Sequence, residues 1–306
     1  MRDISNKIIT LRNASAMAEV NCEPKTVRKI KKGEVPKGDV LEFARVAGIT
    51  AAKKTSDIIP LCHQVPLDFV NVNFEIKSNK INIFTEVTAI WKTGVEMEAL
   101  TAASVSALTL YDMLKPIDKI LQINNIRLLD KKGGKSDFIQ KFKKPLKTAV
   151  LVFSDSISSG KKTDKSGKTI IEKLQGQPNK VVEYNIYPDN FDTIKSELIR
   201  LADTKKVDLI LTTGGTGLSP TDVTTEATRE IIEKDVPGIS EAIRIYGFSR
   251  TPYAMLSRGI TGIRGKTLII NLPGSTRGVA ESMDAIFPWV LHSFWILSGG
   301  GHNIKK

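Results

Sequence analysis

A polar stretch near the middle of the chain most constrains what this sequence can fold into. Asp130-Lys131-Lys132-Gly133-Gly134-Lys135-Ser136-Asp137 is charged and glycine-containing, and Lys141-Phe142-Lys143-Lys144-Pro145 follows it. Segments of this kind mark boundaries between folding units. Directly beyond lies Thr148-Ala149-Val150-Leu151-Val152-Phe153, an apolar, valine-rich run that reads as a buried strand opening a new domain. The break divides 306 residues into two pieces, expected at 1–140 and 147–306. Each falls near the common domain size of roughly 100–200 residues and is long enough to bury its own core.

The two pieces carry different periodicities. In the first, Val70–Ile76 alternates apolar and polar residues, and so does Ile81–Val87 after the polar Ser78-Asn79-Lys80. Two such runs around a turn predict an antiparallel hairpin. Val95–Leu114 is rich in Met, Ala and Leu, with neither Gly nor Pro inside, which predicts one long helix stopped by Pro116. This half reads as α+β. In the second, strand patterns at Ala149–Ser154, Val181–Tyr187, Val207–Thr212 and Thr267–Leu272 alternate with helical patterns such as Thr193–Ala202 and Thr225–Lys234. That alternation predicts βαβ units, a mainly parallel sheet, and ligands beyond the carboxyl ends of its strands.

Composition narrows the class. Hydrophobic residues at 41% and charged residues at 25% are those of a globular protein. No run of 18 apolar residues exists, so no membrane span is expected, and Met1–Asn6 lacks an apolar signal core. The two cysteines, Cys22 and Cys62, make neither a disulfide framework nor a CxxC pair, which suits a reducing cytoplasm. The net charge of +12 comprises +8 up to Lys144 and +4 after it. Without an arginine tract or an aromatic nucleic-acid pattern, it points to a lysine-rich proteome or to anionic substrates rather than to nucleic acid.

In the first half, polar residues crowd Lys37-Gly38-Asp39-Val40, Ile59–His63, Gly94–Thr101 and Tyr111–Lys115. Asp112 and Lys115 share a helix face, as a salt bridge or an acid/base pair. His63 alone reads as a hydrogen-bonded structural histidine. The ordered set KGDVLEFARVAGITAAKKTSDIIPLCH, KTGVEMEALTAASVSALTLYDMLK and IRLLDKKGGKS resembles the cyclic pyranopterin monophosphate synthase family (MoaC) over roughly Met1 to Ser136. The resemblance implies a ferredoxin-like α+β domain with an antiparallel sheet. It also implies conversion of a GTP-derived cyclic dihydro nucleotide to cyclic pyranopterin monophosphate with release of pyrophosphate. By the same resemblance Asp112 and Lys115 are the principal catalytic residues. Leu61, Cys62, His63, Met97 and Glu98 bind substrate, and Lys37 and Lys53 meet its triphosphate. Such chemistry needs repeated proton transfers and cations for the departing pyrophosphate. If Glu98 and Asp112 lie on one helix they are about 21 Å apart, so a site using both is shared between subunits, in keeping with the family's oligomers. Gln64 and Asp137 depart from the usual pattern at positions with no assigned role.

In the second half, Val207–Thr212 runs into Thr213-Gly214-Gly215-Thr216-Gly217. A strand ending in a glycine-rich turn can aim N–H groups at an anion, or can simply be a tight turn. With SDSISSGKKTDKSG, LILTTGGTG, DVTTEAT and TPYAMLSRGITGIRGKTLIINLPGS, the segment from about Lys147 to Ser298 resembles the molybdopterin adenylyltransferase family (MogA/MoaB and the corresponding gephyrin domain). The resemblance implies a three-layer α/β domain that joins AMP from ATP to molybdopterin, with Mg²⁺ and no tightly bound organic cofactor. It implies that Gly214, Gly215, Thr216 and Gly217 bind phosphate or pterin, and that Asp189 and Asp222 hold Mg²⁺ or organise the phosphates. Ser257 and Ser275 would line the pocket, with Asp155 as a helper or a turn cap. Thr221 stands where the family often has Arg, and Thr225 where it often has Pro. Lys161, Lys162 or Arg264 are candidates to supply the missing charge. The competing readings are a molybdopterin-binding scaffold domain and a competence-protein-like domain. A homo-oligomer is expected, hexameric through the first domain and trimeric through the second. His292 and His302 have no assigned role, and Trp289 and Trp295 read as core or interface residues.

Overall fold

The computed structural model of the protein describes residues 1–300, so His302 lies outside the described residues. The chain divides into two compact units, Met1–Asp137 and Phe138–Lys306.

The first unit contains β1 (Thr10–Asn21), α1 (Pro24–Lys32), α2 (Val40–Lys53), the single turn α3 (Thr55–Ile58), β2 (Phe69–Ile76), β3 (Lys80–Trp91), α4 (Glu96–Leu114) and β4 (Gln122–Lys132). The four strands form one antiparallel sheet in the order β2-β3-β1-β4. The anticipated hairpin is β2–β3, with Ile76 opposite Ile81 at its turn. The anticipated helix is α4, uninterrupted to Leu114. Its inward stripe is built from small residues, with Ala99, Ala103 and Ala107 fully buried alongside Leu110 and Leu114, so α2 lies close against it. A Cβ on Gly48 of α2 would fall 2.2 Å from Ser106 Oγ of α4, and that hydroxyl already donates to Ala44 O at 2.9 Å. Asp39 starts α2 by accepting from Leu41 N and Glu42 N, both at 3.1 Å, which satisfies two amides a helix start leaves open.

One expectation needs correction. Asp130, Lys131 and Lys132 are not linker but the end of β4, opposite Ser15, Ala14 and Asn13 of β1, and a 3₁₀ turn at Lys135–Phe138 follows. β4 is an edge strand whose side chains are mostly exposed. Backbone pairing rather than apolar burial holds its end in place, and an alternation test cannot see that.

The second unit contains β5 (Leu146–Phe153), the turn α5 (Asp155–Ser158), α6 (Ser166–Leu174), β6 (Asn179–Tyr187), α7 (Phe191–Ile199), β7 (Leu209–Thr213), α8 (Thr224–Ile231), the two-residue β8 (Lys234–Asp235), α9 (Pro237–Phe248), β9 (Thr261–Arg264), β10 (Thr267–Leu272), α10 (Thr276–Ile286) and α11 (His292–Leu297). The sheet order is β6-β5-β7-β10-β9-β8. The first four strands run parallel, and β9 and β8 add antiparallel pairs. Helices cover both faces. Ile194 and Leu198 of α7 and Ala227 and Ile231 of α8 pack on Ala149, Leu151, Phe153, Ile210 and Ile269. α6 lies on the opposite face, where a Cβ on Gly167 would meet Val152 Cγ2 at 2.6 Å. The helix begun at α7 passes into a π-helical turn, Arg200–Thr204. Phe138 meets Trp289 edge-on at 5.1 Å between ring centroids, and Trp295 is 49% exposed.

Two candidate active sites

In the first unit the loop after α1 brings Lys37 to the C-terminal end of α4. Lys37 Nζ donates to Asp112 Oδ2 at 2.8 Å and to Asp112 O at 3.0 Å. Lys115, one helical turn on from Asp112, places its ammonium 2.6 Å from Asp112 Oδ1. Lys115 and then Lys37 hold the Asp112 carboxyl down to about 2, and Asp112 in turn raises Lys115. All three side chains are solvent-accessible. Two ammonium groups around one carboxylate leave an exposed, net positive cluster suited to an anionic substrate.

The other anticipated residues gather at the opposite end of α4. Glu98 is buried, 5% exposed. Burial raises its carboxyl, and neighbouring Glu96 adds to the rise. Cys62 is half-buried, its thiol pushed up by burial and then by Glu98. His63 is half-buried, and Leu61 and Met97 are exposed. Lys53 is exposed at the last residue of α2. Along one unbroken helix, Glu98 and Asp112 stand roughly 21 Å apart. The fold therefore unites Lys37, Asp112 and Lys115 and leaves Glu98 in a separate group.

Sequence reasoning missed Glu96 and Arg12 beside that second group. Glu96 takes the Lys131 ammonium at 3.3 Å. Arg12 is 9% exposed and donates to Trp91 O and Lys92 O at 3.2 and 3.4 Å. Burial lowers its guanidinium, and Glu96 and Asp137 oppose the shift. The available signal was phase: Arg12 shares strand parity with buried Ala14, Ala16 and Ala18, a position an arginine does not occupy cheaply.

In the second unit the residues of interest cluster at the carboxyl ends of β5, β6, β7 and β10, the edge where an open parallel sheet presents its loops. Gly214 has φ +98°, and a Cβ there would lie 2.0 Å from Phe153 O. Gly215 has φ +63°, and its Cβ would meet Thr224 Oγ1 at 2.1 Å and Asp189 Oδ1 at 3.2 Å. Both positions need glycine, for conformation and for closeness. Asp155 and Asp189 exchange backbone bonds: Asp155 N donates to Asp189 Oδ2 and Asp189 N donates to Asp155 Oδ1, each at 3.1 Å. Burial raises the Asp189 carboxyl, and the charges of Asp155 and Asp222 add to the rise. Asp222 Oδ2 accepts from Ser219 N at 2.8 Å and would lie 2.8 Å from a Cβ on Gly217. Asp189 Oδ1 and Thr224 Oγ1, both facing Gly215, are buried without a hydrogen-bond partner.

Ser257 and Ser275 line a cleft of about 300 Å³ with Ile243, Arg244, Tyr253 and Pro273. The turn that carries Ser275 closes on the glycine loop, since a Cβ on Gly274 would sit 3.5 Å from Gly214 Cα. Ser275 also caps α10 by accepting from Gly278 N at 3.1 Å. Arg264 does not supply a charge here: it pairs with Asp203 at 2.6 Å from the β9–β10 turn, at the amino end of β10. Lys161 and Lys162 are exposed. Thr221 bonds Ser219 through their hydroxyls at 3.0 Å. The arginine that does reach the Asp222 loop is Arg258, whose Nε donates to Gly217 O and Nη2 to Asp222 O, both at 2.6 Å. Among the described residues no group of three or more His, Cys, Asp or Glu is arranged to hold a metal by itself, and no helix is long and apolar enough to cross a membrane.

Comparison with known proteins covers both units. The sequence pattern of the MoaC family matches residues 1–134, and that of the probable molybdopterin binding domain matches residues 149–292. A molybdenum cofactor biosynthesis bifunctional protein of Chlorobaculum tepidum is 40% identical over 99% of this chain and 96% of its own length. A second, from Synechococcus elongatus, is 36% identical with both chains fully covered. A cyclic pyranopterin monophosphate synthase of Chloroflexus aggregans is 51% identical over 44% of this chain and 84% of its own.

Proposed function

We propose two reactions for this chain, which belongs to the family of molybdenum cofactor biosynthesis bifunctional proteins: formation of cyclic pyranopterin monophosphate by the first unit, and adenylylation of molybdopterin by the second. The first unit is similar to cyclic pyranopterin monophosphate synthases, and its strand order supports the ferredoxin-like reading. Lys37 and Lys115 would draw in the triphosphate of a GTP-derived cyclic nucleotide and stabilise the charge on the departing pyrophosphate. Asp112, tied to both, would move protons at the ring under rearrangement. His63, Glu98 and Met97 would hold the rest of the substrate. Because Glu98 and Asp112 stand far apart on α4, this reading requires two copies to complete one site. Mixing Asp112→Asn chains with His63→Ala chains tests it: partial activity regained on mixing supports a shared site, and none regained refutes it.

The second reading is carried by one observation: Asp189 presents an unpartnered buried oxygen at the Gly214–Gly217 loop, where burial first, and then the charges of Asp155 and Asp222, raise its carboxyl against the Asp155 amide that donates to it. A cation would relieve that repulsion, and hard carboxylate oxygens in small number suit Mg²⁺ whose remaining ligands are phosphates. The residues thus fit the ion, with Asp189 and Asp222 as its holders. When bound, Mg²⁺ supplies charge neutralisation to the phosphates. The loop amides would receive the phosphate chain, Ser257 and Ser275 would orient the pterin or nucleotide in the cleft, and the products would be adenylylated molybdopterin and pyrophosphate. The assay is the purified chain with molybdopterin, ATP and Mg²⁺, and Asp222→Ala as control. Turnover lost in the variant supports the reading. Tight molybdopterin binding without turnover by the wild type would reduce this unit to a carrier.

A further inference from the structure

We propose that Arg258 is the positioning residue of the second site, tying together both ends of the loop that carries Asp222. Its backbone N donates to Thr216 O at 2.9 Å, and its carbonyl accepts from Thr225 Oγ1 at 3.2 Å. The guanidinium does more. Nε holds Gly217 O and Nη2 holds Asp222 O, each at 2.6 Å, while Nη1 pairs with the Glu226 carboxylate. One planar fork thus bonds the start of the loop, its end, and the first turn of α8.

Between those anchors Leu218, Ser219, Pro220 and Thr221 are exposed. The loop's own bonds, Asp222 N to Ser219 O at 2.9 Å and Ser219 N to Asp222 Oδ2 at 2.8 Å, make a tight turn. They do not attach that turn to the sheet. Arg258 does, from a side chain about one-third exposed. Removing it frees the turn to swing, and Asp222 with it, away from Asp189 and the glycine loop. A lysine cannot replace it, because a single ammonium does not span two carbonyls and a carboxylate in one plane. Arg258 follows directly on Ser257 of the cleft wall, so the same short segment sets both the cleft and the Asp222 loop.

The catalytic part of this inference rests on the adenylylation reading, and the test separates the two. The full chain is compared with Arg258→Lys and Arg258→Ala by hydrogen–deuterium exchange without ligand and by adenylylation kinetics. Amides of residues 217–219 and of Thr221 and Asp222 are expected to exchange about tenfold faster in Arg258→Lys, with those of β5, β7 and β10 unchanged. The kcat is expected to fall about tenfold or more while KM for molybdopterin stays within about twofold. Methylguanidine added to Arg258→Ala is expected to slow the exchange and raise kcat, a rescue that a general packing defect would not show. Wild-type exchange in Arg258→Lys overturns the proposal. A wild-type chain that does not adenylylate, alongside fast loop exchange in Arg258→Lys, refutes the adenylylation reading and leaves the positioning role standing.

Discussion

Replacing Gly214 by alanine strikes the second site at its tightest point. The residue has φ +98°, and a Cβ would fall 2.0 Å from the carbonyl oxygen of Phe153. A side chain in that sparsely populated backbone region costs roughly 1–3 kcal/mol. Relief of the overlap requires backbone movement, because β5 is hydrogen-bonded on both sides, to β6 and β7. Crowding of this kind costs about 1–3 kcal/mol more, for a total of about 2–6 kcal/mol. Gly265 is the internal control: its φ is +57° and nothing lies within 4 Å of its virtual Cβ, so Gly265→Ala carries only the left-handed cost of about 1–2 kcal/mol. The assay is urea unfolding of the full chain in a Trp91→Phe background, where fluorescence comes only from Trp289 and Trp295 of the second unit. With an m-value near 2 kcal/mol/M, the Gly214→Ala midpoint falls by about 1–3 M. Equal midpoints for the two variants would show that the close approach to Phe153 carries no energy and would refute the argument.

Other expectations follow from the same geometry. Asp112→Asn is expected to leave stability at neutral pH nearly unchanged, since the side chain is exposed, yet to lower cyclic pyranopterin formation by roughly 10²–10⁴-fold; a loss under tenfold counts against a proton-transfer role. The folded Asp112 carboxyl is depressed from its usual 3.8 to about 2, so its pairing is fully present above pH 3.8 and is lost as pH falls through about 2. Carbon-detected NMR of Asp112 is therefore expected to show no titration between about pH 4.5 and 8. Glu98 is shifted upward by burial, so its ionised form opposes folding, increasingly as pH rises past the ordinary carboxylate range. Glu98→Gln is expected to raise stability at pH 7 and to converge on wild type near pH 4, as read by thermal melts. A destabilised Glu98→Gln at pH 7 would mean that the carboxylate has a partner worth more than its desolvation. Chelation of divalent cations is expected to abolish adenylylation, and Mg²⁺ to restore it.

Much of the architecture was already determined by residue pattern. The β2–β3 hairpin, the length of α4 and the strand–helix alternation of the second unit are local properties, fixed by periodicity, by Pro116, and by turns such as Ser78-Asn79-Lys80. The spacing of Glu98 and Asp112 along one helix was likewise legible, because rise per residue is a constant of the helix. Tertiary structure decided what depends on distant partners. β4 continues through Lys132 because β1 supplies its hydrogen bonds, whatever its own polarity. Lys37 meets Asp112 across 75 residues of sequence only because α1 and α2 return the chain to the end of α4. Arg264, a plausible charge for the second site by composition, is spent on Asp203 at the wrong end of the sheet, while Arg258 reaches the Asp222 loop. Sequence spacing ranks neighbours along one element, and these contacts join different elements, so only the packed fold could choose between the two arginines.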